Sequence, residues 1–270
     1  SYLFWATTQE FVDTWGLIPE WVERDHHDAS WGFGNMLRVR ILDQLFLKGS
    51  FERSTRLPRP AELFGNNVTV IPNNALSPEY SNNFNAGILV DSRRTKAGRF
   101  LGEITFFYRG AEGLIALLGA DDRNLQYQNI MSATSWGLQG MVGWTSPGRI
   151  FSTRWNGTWM DFRNASTEGY FAQFEGVRIP NMPYLFFNGS ASLSHRDLIT
   201  NGDRISLTWH MRYVHSFYRS WENIGLESTK PLIPSQTTHS LALIYEMIGA
   251  RLKLTSTVEI DNLTDETTFD

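Results

Sequence analysis

Alternation of apolar and polar residues over long stretches is the feature that most constrains the fold of this chain. Successive side chains of a β-strand point to opposite faces, so a period of two predicts strands whose faces meet different environments. In residues 204–213 the apolar positions are Ile205, Leu207, Trp209, Met211 and Tyr213, and the polar ones are Arg204, Ser206, Thr208, His210 and Arg212. In residues 251–260 the apolar Leu252, Leu254, Val258 and Ile260, interrupted by Ser256, alternate with Arg251, Lys253, Thr255, Thr257 and Glu259.

Eleven segments carry this pattern with varying regularity, and we predict a strand for each. They are residues 2–12, 34–42, 45–56, 83–94, 99–109, 130–145, 149–162, 183–196, 204–213, 237–247 and 251–260. Strands of globular proteins usually have about five or six residues, and most of these segments are about twice that long. A tilted strand that crosses a membrane needs about 9–11 residues. The predicted lengths therefore fit membrane-spanning strands.

Short and long connections alternate between these segments. The short ones are rich in Gly, Pro, Asn and Asp, as turns require, and they are residues 42–44, 95–98, 146–148, 200–203 and 248–249. The long ones are residues 13–33, 57–82, 110–129, 163–182 and 218–236. Outer-membrane barrels have short periplasmic turns and longer extracellular loops, whereas structureless loops of about 20 residues are uncommon in compact soluble domains. We therefore predict an all-β fold, a transmembrane antiparallel up-and-down β-barrel.

Soluble sandwiches and propellers also contain alternating strands. In a soluble sandwich, however, these strands would bury Arg204, Arg212 and Arg251 or expose a continuous apolar sheet. The composition adds to this argument, because 14% of the residues are aromatic and only 19% are charged. The formal net charge of -4 gives no basic surface for nucleic acid. The chain has no cysteine, which excludes thiolate metal sites and cysteine nucleophiles from it.

Three segments resemble the TonB-dependent receptor family. Residues 55–65 (TRLPRPAELFG) and 73–83 (NNALSPEYSNN) resemble a family block that ends one strand, crosses a large extracellular loop and begins the next, although Asn74 stands where Pro is usual. Residues 176–183 (GVRIPNMP) are similar to the family segment before a late strand. Residues 262–266 (NLTDE), together with Phe269 and Asp270, are similar to the segment before the terminal strand.

The resemblance implies a 22-stranded barrel with an N-terminal plug. Residues 1–270 are then expected to form the C-terminal half of the barrel, about eleven strands without the plug, the first strands and the last strand. The family imports scarce nutrients across the outer membrane of Gram-negative bacteria, with energy delivered by the TonB complex, and it is not an enzyme family. A ferric siderophore or other iron complex is the expected substrate, before haem, cobalamin and glycans. The implied partners are TonB, through a segment ahead of residue 1, the outer-membrane lipid and a surface lipoprotein; no resident cofactor is expected.

Candidate ligand-binding residues lie in the predicted loops. His26 and His27, with acidic neighbours, could contact haem or a ferric chelate, or simply be solvated; adjacent histidines rarely reach one metal together, so no metal site is predicted. Ring side chains in the later loops could line a pocket, pack the loop or, for the last of them, join the aromatic girdle at the membrane interface; they are Tyr170, Phe171, Phe174 and Trp221. Arg59 and Glu62 belong to the family block, where a structural tie between loop and barrel is the preferred role.

No arrangement of residues in the sequence points to catalysis. There is no G-x-S-x-G motif, and the isolated His210 is predicted to lie on the inner wall as a hydrogen-bonding residue. Two alternatives to an importer stay open, a soluble β-rich carbohydrate-binding or hydrolytic protein and an outer-membrane barrel enzyme. Residues 60–79 contain no histidine, where haem receptors of the family often carry one, and this disfavours haem as the substrate.

Overall fold

The computed structural model describes residues 2–12, 20–30, 32–66, 68–92, 95–119, 124–226, 230–248 and 253–269. Within these residues, fifteen strands and one short helix follow each other. The strands are β1 (Tyr2–Val12), β2 (Glu20–Ser30), β3 (Phe33–Leu42), β4 (Leu45–Arg56), β5 (Val70–Ile71), β6 (Glu79–Asp91), β7 (Arg99–Gly119), β8 (Leu125–Thr145), β9 (Phe151–Asn164), β10 (Leu185–Arg196), β11 (Asp203–Val214), β12 (Phe217–Tyr218), β13 (Leu232–Ile233), β14 (Gln236–Ile248) and β15 (Lys253–Ile260). The helix α1 (Pro60–Phe64) and a 3-10 turn (Tyr170–Phe174) lie in connections. Among the described residues no helix is both long and apolar enough to span a membrane.

Ten strands form one antiparallel sheet in the order β15-β14-β11-β10-β9-β8-β7-β6-β4-β3, and β5 adds a short parallel pairing to β8. Each strand pairs with the next long strand of the sequence, which is the order of an up-and-down meander. Two further antiparallel pairs, β1 with β2 and the two-residue strands β12 with β13, form separate sheets. The predicted all-β class and antiparallel barrel topology are confirmed, and β3 and β15 are the two edges of the sheet.

The register gives the sheet one polar and one apolar face. Across β4, β6 and β7 one row contains Lys48, Gly87 and Thr105, while the adjacent row contains Leu47, Ile88 and Ile104. Large apolar side chains are exposed all along the second face: Leu47, Phe84, Ile88, Ile104, Phe106, Tyr108, Trp136, Leu138, Val142, Leu193, Leu207, Leu243, Leu254 and Val258. Lipid covers such a face in outer-membrane barrels. We call it the outer face and the polar face the lumen face.

Two predicted loops contain regular strand structure. Most of the predicted loop 110–129 is strand, because β7 and β8 have 21 residues each and pair as far as Gly119 and Leu125. In these extensions the apolar side chains are buried against residues of another long connection. Such strands need not alternate between apolar and polar residues, so the pattern does not reveal them. The predicted loop 13–33 contains β2, whose polar residues pair with β1. The strands therefore extend further toward the long connections than the sequence predicted.

The turn between β6 and β7 depends on a glycine. The backbone N–H groups of Thr95 and Gly98 donate to each other's carbonyl oxygens at 3.0 Å, and Gly98 has a φ of 102°. A Cβ at this position would lie 2.2 Å from the carbonyl oxygen of Thr145 on β8. Only glycine adopts this backbone conformation without strain. This turn therefore packs directly against the end of β8.

Gly98→Ala is expected to destabilise the barrel by more than about 2 kcal/mol, from left-handed strain together with the clash. The midpoint temperature at which the protein loses its folded mobility on gel electrophoresis in detergent measures the effect. Gly148→Ala is the matched control, since a Cβ there would meet only the Ile150 side chain at 3.5 Å. Equal midpoints for the two variants would contradict the argument.

Candidate functional site

A cavity of about 770 Å³ opens on the lumen face at the end of the sheet that carries the long connections, which we call the loop side. Strands β4, β6, β7, β8 and β9 and the segment before β10 form its walls. The wall mixes charged, amide and apolar side chains, among them Arg56, Glu79, Asn83, Arg109, Met160 and Ile179. Small-molecule sites have volumes of about 300–1,000 Å³ and combine apolar walls with a few placed polar groups. This cavity has the size and the mixed character of such a site.

Two arginines and two glutamates form a network on its charged side. Arg56 donates from Nη1 to both carboxylate oxygens of Glu62 at 2.9 Å and from Nε to Oε2 of Glu79 at 3.1 Å. Arg109 pairs with Oε1 of Glu79, and the backbone N–H of Ile115 donates to Oε2 at 3.3 Å. The Glu79 side chain is 1% exposed. A buried carboxylate is thus neutralised by two guanidinium groups from different strands.

The predicted residues Arg59 and Glu62 lie at the start of α1. Pro60 occupies the first turn, where its fixed φ suits a helix. The backbone N–H of Arg59 donates to Oε2 of Glu62 at 2.8 Å, so this carboxylate caps the helix while it pairs with Arg56. Glu62 is buried and Arg59 is exposed. Glu62 therefore connects the loop that contains α1 to strand β4. Ligand contact by Arg59 or Glu62 stays a prediction.

Four predicted aromatic residues come together in a second hollow of about 470 Å³ on the loop side. Phe174 and Trp221 stack with their centroids 4.3 Å apart and their planes 6° apart. Tyr170 lies edge-on to Phe171 at 5.2 Å and to Phe174 at 6.3 Å. We call these four residues the aromatic cluster. It joins the 3-10 turn before β10 to the connection between β12 and β13.

Burial separates the members of the aromatic cluster. Phe171 and Phe174 are only 7% and 2% exposed, whereas Tyr170 is 73% exposed. The two phenylalanines belong to an apolar core beneath the loop that also contains Ala111, Leu114, Leu118, Ile130, Ala133 and Ile179. Packing is therefore the role that the structure gives to Phe171 and Phe174. Tyr170 is mostly exposed and Trp221 is half-buried, and ligand contact stays a prediction for all four residues.

Two buried polar residues hold the 3-10 turn in place. Asn164, 1% exposed, donates from Nδ2 to the carbonyl oxygen of Phe171 at 2.7 Å, and its Oδ1 accepts from the hydroxyl of Ser166 at 2.7 Å. Sequence reasoning missed both residues, and it missed Glu79, Arg109 and Asp161 as well. Of these five residues, only Glu79 could have been found from the sequence, because it lies in the family motif at residues 73–83. Asp161 accepts from Arg163 at 2.7 Å and from Arg178 at 3.0 Å, which anchors the segment before β10.

The remaining candidates, His26 and His27, lie on β2. Their Cα partners on β1 are Ala6 and Trp5. The positions of both side chains lie outside the described part of the structure, so their contact with a ligand stays a prediction.

Comparison with known proteins gives a family and a fold. The family model of the TonB-dependent receptor-like β-barrel matches residues 8–263. No curated protein matches the chain. Among solved structures, a variant of the ferric enterobactin receptor PfeA from Pseudomonas aeruginosa is 18% identical, with a TM-score of 0.61 over 90% of this chain. The copper transporter OprC is 15% identical with a TM-score of 0.60 over 92%, and the siderophore receptor PirA from Acinetobacter baumannii is 16% identical with a TM-score of 0.60 over 90%.

This chain covers 36%, 34% and 38% of those three proteins, so it spans a little over a third of the length of the structures it matches. At these identities the likeness shows the fold alone. The family match extends over nearly the whole chain and agrees with the antiparallel order of the long strands. The chain therefore belongs to the TonB-dependent receptor family of outer-membrane β-barrels of Gram-negative bacteria.

Proposed function

We propose that this chain forms part of a receptor that imports a scarce nutrient across the outer membrane by TonB-dependent active transport, with a ferric siderophore or another iron complex as the substrate. The observation that carries the proposal is the mixed polar and apolar cavity of about 770 Å³ at the loop side of a family barrel. Similar structures include a ferric enterobactin receptor, a siderophore receptor and a copper transporter, which favours a metal complex without choosing one.

In this proposal the ligand is bound and moved without chemistry on it. Residues that reach solvent at the loop side, such as Tyr170 and Arg59, would touch the incoming complex, with His26 and His27 as further candidates. Phe171 and Phe174 would hold the loop between β9 and β10 in place by packing, and Glu62 would hold the loop that contains α1 through its ion pair with Arg56. TonB would act through a segment outside this chain, and a surface lipoprotein remains a candidate partner. Rings offer large, rigid contact area at low entropic cost, which suits a planar or aryl-bearing chelate.

Deletion of the gene tests the proposed substrate. Bacteria that lack the receptor should grow more slowly than the parent under iron limitation on at least one ferric chelate, and the whole gene supplied in trans should restore growth. Unchanged growth on every iron source would exclude iron complexes. Parallel cultures limited for cobalamin or for a glycan carbon source would then identify the nutrient class.

Tyr170→Ala is expected to weaken uptake of the identified chelate by about three- to tenfold, because an exposed aromatic contact is lost. Stability should stay unchanged, since this side chain is 73% exposed. Uptake of radiolabelled iron at limiting chelate concentration measures the effect. Phe64→Ala, an exposed ring in the other long loop, is the matched control. Equal uptake by both variants would remove Tyr170 from the ligand site.

A further inference from the structure

The loop-side part of the β7–β8 hairpin extends beyond the neighbouring long strands. β6 pairs with β7 as far as Glu112, and β9 pairs with β8 as far as Ala133. Past these residues the hairpin continues through residues 114–119, which pair with residues 125–130. We call these two segments the extension. A two-stranded hairpin alone is marginally stable in water, so the extension depends on other parts of the chain that pack against it.

The loop that contains α1, residues 57–66 and 68–78, attaches to the extension through hydrogen bonds. Its short strand β5 pairs with the edge of β8 opposite to β7. Near this pairing, Asn73 donates from Nδ2 to the carbonyl oxygen of Tyr127 at 2.8 Å. We call this segment the α1 loop. Its attachment therefore requires that the extension keep its strand conformation.

Asn129 of β8 connects the α1 loop to both strands of the hairpin. Its Oδ1 accepts from the backbone N–H of Ser77 at 2.9 Å. Its Nδ2 donates to the carbonyl oxygen of Ser77 at 3.0 Å and to that of Gly113 on β7 at 2.6 Å. The amide thus uses both its donor and its acceptor groups at this junction. Removal of this side chain would take a partner from each of these backbone groups.

The loop between β9 and β10, residues 165–184, attaches to the same extension by apolar packing. One buried core contains Phe171, Phe174 and Ile179 of this loop together with Leu114, Leu118 and Ile130 of the extension. At the start of the loop, the backbone N–H of Ala165 donates to the carbonyl oxygen of Ser132 on β8 at 3.0 Å. We call this segment the β9–β10 loop. The two loops are therefore attached to one hairpin, which in turn depends on both of them.

We infer that the α1 loop, the β9–β10 loop and the extension form one cooperative lid, which opens and closes as a unit on the loop side of the barrel. When either loop detaches, the extension loses hydrogen bonds or apolar burial, and the other loop then loses the strands to which it is bound. A ligand held by Arg59 or by Tyr170 would therefore stabilise both loops at once. This last consequence rests on the proposed function, whereas the lid itself does not.

Hydrogen exchange of the protein in detergent micelles, followed by mass spectrometry of peptic peptides, tests the lid without any ligand. Asn129→Ala weakens the attachment of the α1 loop, and Phe174→Ala weakens that of the β9–β10 loop. Each variant should speed exchange by at least about tenfold in residues 68–78 and also in residues 165–184. Exchange in residues 237–247 of β14 should stay unchanged, because that strand pairs with β11 and β15 in the sheet.

Gln128→Ala and Tyr170→Ala are the matched controls. Gln128 lies beside Asn129, and among the described residues its side chain bonds to Gln126 and not to the α1 loop. Tyr170 belongs to the β9–β10 loop but is mostly exposed. Both controls should leave exchange in the two loops within about twofold of the parent.

Two independent loops would give a different result, in which Asn129→Ala speeds exchange only in the α1 loop and Phe174→Ala only in the β9–β10 loop. That result would overturn the inference, and so would the absence of any acceleration. Equal acceleration in β14 would overturn it as well, since the whole barrel would then open. Failure of the growth test alone would overturn only the proposed import, because no ligand takes part in the exchange measurement.

Discussion

Glu79→Gln is expected to destabilise the loop side of the barrel by about 2–4 kcal/mol, because it removes the charge that two guanidinium groups share. The carboxylate is 1% exposed and pairs with Arg56 and Arg109, while it also accepts the Ile115 N–H. The amide keeps the volume but leaves the two arginines facing each other. Both arginines are partly exposed, so solvent lessens the loss below that of a fully buried pair.

Glu52→Gln is the matched control for this prediction. Glu52 lines the same cavity, but it is exposed and has no side-chain partner among the described residues. The midpoint urea concentration for unfolding of the full-length receptor in lipid vesicles, followed by tryptophan fluorescence, compares the two variants. A Glu79→Gln midpoint as high as that of Glu52→Gln would mean that the network contributes little to stability.

The faces of the sheet were predictable from the sequence because they depend on one strand at a time. Alternation at 204–213 and 251–260 separated residues such as Leu207 and Val258 from Arg204 and Lys253, and the register keeps them on the outer and lumen faces. The tight turns were also predictable, since they contain residues that turns favour, such as Gly98 with its positive φ. Each of these signals is local in the chain.

The charge network and the loop core could not be predicted in the same way. Glu79 meets Arg56 and Arg109 only because β4, β6 and β7 pair in one register, and each partner is more than twenty residues away. Residues 111–119 carry a mainly apolar run that looked like a loop, yet Leu114 and Leu118 bury against Phe174. Burial of an apolar residue in one long connection depends on the residues of a second connection that pack against it. Alternation within one segment contains no information about such contacts.

Because Phe174 packs between two connections, its loss should destabilise the loop side more than the loss of any other member of the aromatic cluster. Phe174→Ala is expected to cost about 3–5 kcal/mol, the usual range for a buried phenylalanine that leaves a cavity. The side chain is 2% exposed, and its stack on Trp221 joins two connections. The long strands pair independently of it, so the loss should appear as local opening of residues 165–184 and not as unfolding of the barrel.

Limited trypsin digestion of the full-length receptor measures this opening, because Arg163 and Arg178 flank the loop and bind Asp161 when it is closed. Cleavage at these sites should become faster by at least about a hundredfold in Phe174→Ala, while folded mobility on detergent gels is kept. Tyr170→Ala separates packing from ligand contact: it should leave the cleavage rate near that of the parent, since its ring is mostly exposed. Equal acceleration of cleavage in the two variants would assign Tyr170 to the core. No acceleration in either variant would mean that the hydrogen bonds of Asn164 and Ser166 hold the loop closed without the aromatic cluster.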